Sequence, residues 1–320
     1  MLNPRFVVGL LSVAQMVLGA GAAYGQAYPS KPVRIITTSP GSGNDFMARQ
    51  IAPGMSGSLG QPVIVENRPT GFLAAEAVSK TPPDGYTLTI QGAIFWTVPL
   101  LRVVPYDVLR DFSPISLISK QAAVLAVHPS LPVKSVKELI ALAKGRPGQL
   151  NYGSSGTGGL GHLAAELFKS MAGVNLVHVP YKGQAPAIAS LMSGEVQMLI
   201  TDVGLVMPHV KSGKLRALAV TSNDPSALTP GLPTVAASGL PGYEMVGVTG
   251  AFAPAKTPGA IINRLNQDLV RFLNQPEVKE QLLIAGEEVV ASSPEQFAAT
   301  IKSSIAKLGK VIKDVGIKID

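Results

Sequence analysis

What most constrains this chain is a strand, a glycine-rich loop and a helix start in that order, a combination that occurs twice. Residues 150–168 read LNYGSSGTGGLGHLAAELF. Large side chains flank Asn151 in an extended run over 150–152, and small residues fill 153–159. Leu160, Leu163, Leu167 and Met171 then recur at helical spacing. The second case comes earlier. The apolar run Val33–Thr37 leads into Ser39-Pro40-Gly41-Ser42-Gly43-Asn44-Asp45, with a helix expected over about 45–58. The first N–H groups of a helix lack partners, the macrodipole is positive there, and glycine lets a ligand approach the backbone. Each loop therefore reads as a cup for an anion or, more plainly, as a tight turn. Neither loop carries Lys or Arg.

Known loop chemistries fit poorly. Gly156-x-Gly158-x-x-Gly161 spells the dinucleotide fingerprint, which needs an acidic residue at the end of the next strand. That strand, over 176–179, ends instead in Pro180-Tyr181-Lys182. There is no Gly-Lys-Ser/Thr for a P-loop, and Gly153-Ser-Ser-Gly-Thr is not a nucleophile elbow. No cofactor is expected.

Composition narrows the class. Arg5, the apolar stretch 6–23 and the small-x-small site Gly25-Gln26-Ala27 read as an export signal over 1–27, cleaved near Ala27. A membrane anchor is the competing reading; no other apolar run reaches the roughly 18 residues that span a bilayer. The remaining chain of about 293 residues suffices for two domains. Without cysteine there is no disulfide, no thiolate metal site and no thiol nucleophile. The charge of +7 is scattered and aromatics are 5% of the chain, which argues against a nucleic-acid surface.

Strands and helical segments alternate from Val33 onward, as in sheets flanked by helices. Strands are expected over 63–66 and 86–91, then an extended run 114–127. A second α/β unit opens with the capping box Ser135-Val-Lys-Glu138. It continues through strands at 196–201 and 215–221. Residues 246–252 then cross back, and helices at Gly259–Leu273, 276–285 and Pro294–Val315 complete the first unit. The expectation is an α/β, two-lobed architecture, each lobe a mainly parallel sheet flanked by helices. Residues 28–126 plus 248–320 form lobe 1 and residues 127–247 lobe 2, with both cups facing the cleft.

Several stretches carry a family resemblance: YPSKPVRI (28–35), PGSGND (40–45), LGQPVIVENRP (59–69), PDGYTL (83–88), LNYGSSG (150–156), VHVPYKG (177–183) and GKLRALAV (213–220). Together they resemble the Bug family, the substrate-binding proteins of tripartite tricarboxylate transporters. The resemblance covers essentially the whole mature chain. It implies a periplasmic two-lobed protein of the type II, Venus-flytrap kind that is not an enzyme and is expected to be a monomer. Such a protein binds a small carboxylate through backbone amides, hydroxyls and water, and delivers it to one large and one small membrane subunit.

Carried over, the first ligand loop falls on Pro40, Gly41, Ser42, Gly43, Asn44 and Asp45. The second falls on Ser154, Ser155, Gly156, Thr157 and Gly158, followed by His162. Tyr181, Lys182 and Asp202 match residues facing the cleft. Lys182 also reads as a plain surface lysine, and Asp202 as the cap of the next helix. Departures lie at Thr70-Gly71-Phe72-Leu73, shorter and more apolar than is usual, and at Val203 and Val248. They favour a carboxylate with an apolar or aromatic body.

Other classes fit the residues less well. Ser155, His162 and Asp202 supply the residue types of a hydrolytic triad, which only geometry defines. His128, His162, His178 and His209 lack metal-ligand spacing, so no metal is expected. A solute sensor, presenting its closed form to a membrane signalling protein, is the alternative to uptake. The single tryptophan, Trp96, follows a strand and is expected at the cleft or, alternatively, in a lobe core.

Overall fold

The computed structural model describes residues 28–315; the export signal and its cleavage site lie outside them. Two sheets are present. The first holds β1 (Val33–Thr37), β2 (Val63–Asn67), β3 (Thr87–Gly92), β4 (Phe112–Gln121), β10 (Gly247–Pro254) and the short β11 (Glu288–Val289) in the order β11-β4-β10-β3-β1-β2. The second holds β5 (Ala123–Val127), β6 (Asn151–Ser154), β7 (Val177–Pro180), β8 (Met198–Asp202) and β9 (Arg216–Val220) in the order β7-β6-β8-β5-β9.

The two orders are the same pattern. In each sheet the lobe's own first three strands lie as second, first, third. A strand arriving from the other lobe comes next, and the lobe's fourth strand follows it. The inserted strands, β10 and β5, run antiparallel to both neighbours. The sheets are therefore mixed, not mainly parallel. The cause is topological: a strand that enters from the opposite lobe runs against the lobe's own strands on either side of it. β5 reads AVLAV and is buried along its whole length, as a central strand covered on both faces must be.

The crossing between lobes falls at Ala122, so β5 lies in the second sheet, earlier than the boundary after residue 126 expected from sequence. The return runs between Val220 and Gly247. Local chemistry accounts for the elements beside the cleft. Ser42 caps the helix Gly43–Leu59 by accepting the Asp45 N–H at 3.3 Å, and Gly60 ends it in the left-handed conformation, φ 67°. Ser135 caps its helix as the capping box requires, but Glu138 reaches back to the N–H of Lys134, at 2.7 Å.

The last helix, Pro294–Val315, belongs to both lobes. Phe297 and Ile301 pack into the aromatic cluster of the first lobe with Phe95, Trp96 and Phe252. Leu308, Val311 and Ile312 pack into the second-lobe core with Leu163 and Phe168. The helix thus links the two cores in addition to the two chain crossings.

Candidate functional site

The first loop joins β1 to the helix Gly43–Leu59. Asp45 is buried, and its carboxylate turns back into the loop. Oδ2 accepts the Gly41 N–H at 2.9 Å, and Oδ1 accepts from Asn67 Nδ2 at 2.7 Å and from Arg49 Nε at 3.0 Å. Burial opposes ionisation, yet the hydrogen bonds from Asn67, Gly41 and Arg49 outweigh it and hold the carboxyl below its ordinary range. The carboxylate is therefore already neutralised within the protein. The remaining donors can be counted. Ser42 N–H goes to Ser39 O, and Asp45 and Phe46 N–H go to Ser42. The N–H groups of Gly43 and Asn44 have no partner among the described residues, and both residues line the cleft.

The second loop repeats the device. Gly158, in the left-handed region at φ 81°, donates its N–H to His162 Nδ1 at 3.0 Å. A glycine amide is thus held by a side chain four residues later in each lobe, by Asp45 in one and by His162 in the other. His162 is buried and stacks on His178 with ring centroids 4.1 Å apart. Burial, then the neighbouring His178, pushes its pKa down to about 4, so the ring is neutral. His178 Nε2 and Ser154 Oγ share a hydrogen bond at 2.7 Å, and Ser154 Oγ accepts the Gly156 N–H at 3.2 Å. Ser155 and Thr157 keep backbone N–H groups without partners among the described residues.

Between the loops lies a cavity of about 1060 Å³. Thr38, Ser42, Gly43 and Asn44 form its polar end. Phe72 and Ile94 of the first lobe and Leu160 and Leu163 of the second form its apolar flanks. Of the residues expected at the site, Ser42, Gly43, Asn44 and Gly158 line this cavity. Pro40, Gly41, Asp45, Ser154, Ser155, Gly156, Thr157, His162, Tyr181, Lys182 and Asp202 do not. For Asp45, Ser154 and His162 the reason is physical, since their polar atoms are spent bracing the loops. Lys182 is exposed. Tyr181 Oη is buried without a partner among the described residues. Asp202 stands at the start of the helix Val203–Lys211, but its side chain makes no cap bond and accepts from Gln184 Nε2 at 2.7 Å.

That arrangement excludes a triad, because His162 Nδ1 is committed to Gly158 and Asp202 to Gln184. Cavity residues that sequence did not single out include Gln91, Arg102, Gln121 and Glu287. Burial, with the charge of Asp202 adding to it, raises the pKa of Glu287. These four come from separate segments of the chain and carry no local motif. Phe72 was visible only as an apolar departure.

The comparisons agree with this geometry. The chain matches the family described as "Tripartite tricarboxylate transporter family receptor" over residues 47–317. It is 34% identical over 298 residues to Protein BugT of Bordetella pertussis, covering 91% of each chain. Among solved structures it is similar to Rpa4515 of R. palustris with adipate, at 36% identity and TM-score 0.73, covering 91% of this chain and 99% of that one. It is also similar to MatC of Rhodopseudomonas palustris with bound malate, at 28% identity and TM-score 0.70, covering 89% of this chain and 100% of that one. With the family match spanning most of its length, the chain belongs to the receptors of the tripartite tricarboxylate transporter family, periplasmic solute-binding proteins of which the Bug proteins are members, and is a binder, not an enzyme.

Proposed function

We propose that this protein captures a small carboxylate in the cleft between its lobes and delivers it to the membrane subunits of a tripartite tricarboxylate transporter. It acts as an exported monomer whose leader is removed near Ala27. The observation that carries this reading is the polar end of the cavity. There two helix-start N–H groups, Gly43 and Asn44, without partners among the described residues, stand beside Thr38 and Ser42, whose hydroxyls hydrogen-bond each other and so leave one O–H to donate, with Asp45 held in an ion pair by Arg49. Such a cup stabilises an anion without a basic side chain. Adipate and malate in the similar structures have the same chemistry.

Ser155, Gly156 and Thr157 precede Gly158 on the second loop. Closure about the crossings at Ala122 and 221–246 brings their N–H and hydroxyl groups onto the bound carboxylate. Tyr181, Lys182 and Asp202 then border the closed cleft. A thermal-shift screen against carboxylates tests the function. A ligand at about 100 times its Kd adds roughly 2.7 kcal/mol to stability. A panel of mono-, di- and tricarboxylates that produces no stabilisation would reject it.

A further inference from the structure

The cup accounts for one end of a ligand; the cavity wall beyond it holds a candidate receiver for the other. Gly71 packs against the cup: a Cβ there would lie 3.3 Å from Thr38 Cγ2 and 3.1 Å from Gln91 Oε1. Phe72 follows directly and lines the cavity, as does Ile94. Over the face of Phe72 lies the guanidinium of Arg102, its Cζ 5.1 Å from the ring centroid, and Arg102 lines the cavity too. A continuous wall therefore runs from hydroxyls and amides, across apolar surface, to a cation.

Arg102 differs from the two lysines of the cavity wall and from several arginines elsewhere in the molecule. Arg34, Arg49, Arg68 and Arg264 each face a carboxylate of the protein. Of the lysines on the cavity wall, Lys120 faces Glu288 at 4.0 Å and Lys307 donates to the Glu244 carbonyl at 2.9 Å. Arg102 has no carboxylate within ion-pair distance among the described residues. A guanidinium over an aromatic ring makes that contact without using an N–H donor, so its N–H edge stays available. That edge is the fork that matches a carboxylate in a bidentate pair.

We propose that Arg102, seated on Phe72, receives the distal carboxylate of a linear dicarboxylate whose proximal carboxylate occupies the Ser42–Asn44 cup, and so selects dicarboxylates over monocarboxylates of equal length. The inference rests on the cup reading above. Apolar surface at Phe72 and Ile94 suits the methylene chain between the two charged ends.

The test is calorimetric titration of the mature protein with linear dicarboxylates from succinate to suberate and with monocarboxylates of matching length. Wild type should prefer a dicarboxylate. Arg102→Ala should weaken that ligand at least about tenfold, the loss expected when a charge-assisted hydrogen bond is removed. It should affect the matching monocarboxylate far less, so that the preference collapses. Arg102→Lys, which keeps charge without the fork or the stack, should recover only part of it. Circular dichroism spectra matching wild type establish that each variant is folded. An unchanged dicarboxylate-to-monocarboxylate ratio in Arg102→Ala, or a wild-type preference for monocarboxylates, overturns the role of Arg102 and leaves the cup standing. If no carboxylate of either series binds wild type, the cup reading falls and this inference with it.

Discussion

His162 accepts the backbone N–H of Gly158 through Nδ1 at 3.0 Å, a bond that only the neutral ring can make. The groups around the ring are His178, Tyr152, Glu166 and Lys169. Burial, reinforced by His178 and Lys169 and opposed by Glu166, keeps its pKa near 4, below the ordinary 6.5. The unfolded chain therefore binds a proton between these values that folded His162 refuses, and stability falls as pH drops through that window. The loss amounts to about 3 kcal/mol, and half-buried His178 shifts in the same direction. Urea unfolding across the window should show a smaller loss for His162→Asn, whose Oδ1 keeps an acceptor but cannot titrate. Equal losses in variant and wild type would remove His162 from the pH response.

Asp45 holds the other cup. Asp45→Ala leaves the Gly41 N–H and Asn67 Nδ2 short of an acceptor. Stability should drop by about 1–3 kcal/mol, with weaker carboxylate binding although Asp45 does not line the cavity. Denaturant titration and calorimetry on the same variant check both. Wild-type values in each would show that the loop needs no such brace.

Helix-to-strand contact in the second lobe depends on Gly161. A Cβ there would lie 2.4 Å from the backbone oxygen of Ile200 in β8, an atom that cannot step aside. Gly161→Ala should cost about 1–3 kcal/mol despite alanine's helix preference. Gly57→Ala, in the helix Gly43–Leu59 with nothing within 4 Å, should gain up to about 1 kcal/mol. Paired midpoints of denaturation settle the sign. A stabilised Gly161→Ala would contradict the contact.

Much of this was legible in the residues, and what was missed has physical causes. Val33–Thr37, Gly259–Leu273 and Pro294–Val315 show in the apolar pattern because each buries a continuous face. The antiparallel insertion of β10 and β5 did not show, since strand partners are chosen by chain topology, not by local composition. From sequence, Asp45 and His162 are expected to face the ligand; in the structure both turn back into their loops. Their spacing of four residues from Gly41 and Gly158 was present, but whether a polar side chain points to solvent or back to the loop depends on Asn67, Arg49 and His178, which are distant in sequence. Gly161 completes a fingerprint by letter; its role is the close helix-to-strand approach. Arg102 and Phe72 meet only through folding.

Trp96 satisfies both expectations for it. It is buried, its Nε1 donates to Ser304 Oγ of the last helix at 3.1 Å, and it borders the cavity. The last helix reaches the second-lobe core, so closure should alter the indole's surroundings. A carboxylate whose binding calorimetry has established should produce a saturable change in tryptophan emission. Unchanged intensity and wavelength at saturation would separate Trp96 from the moving parts.

The central claim is that the cup binds a negative charge through neutral donors. The most direct measurement compares, by calorimetry, the carboxylate found in the thermal-shift screen with its primary amide, which has the same body and no charge. Binding of the carboxylate with at least about a hundredfold loss for the amide, equivalent to some 2.7 kcal/mol, is the expected result. Equal affinity for the two compounds would contradict it.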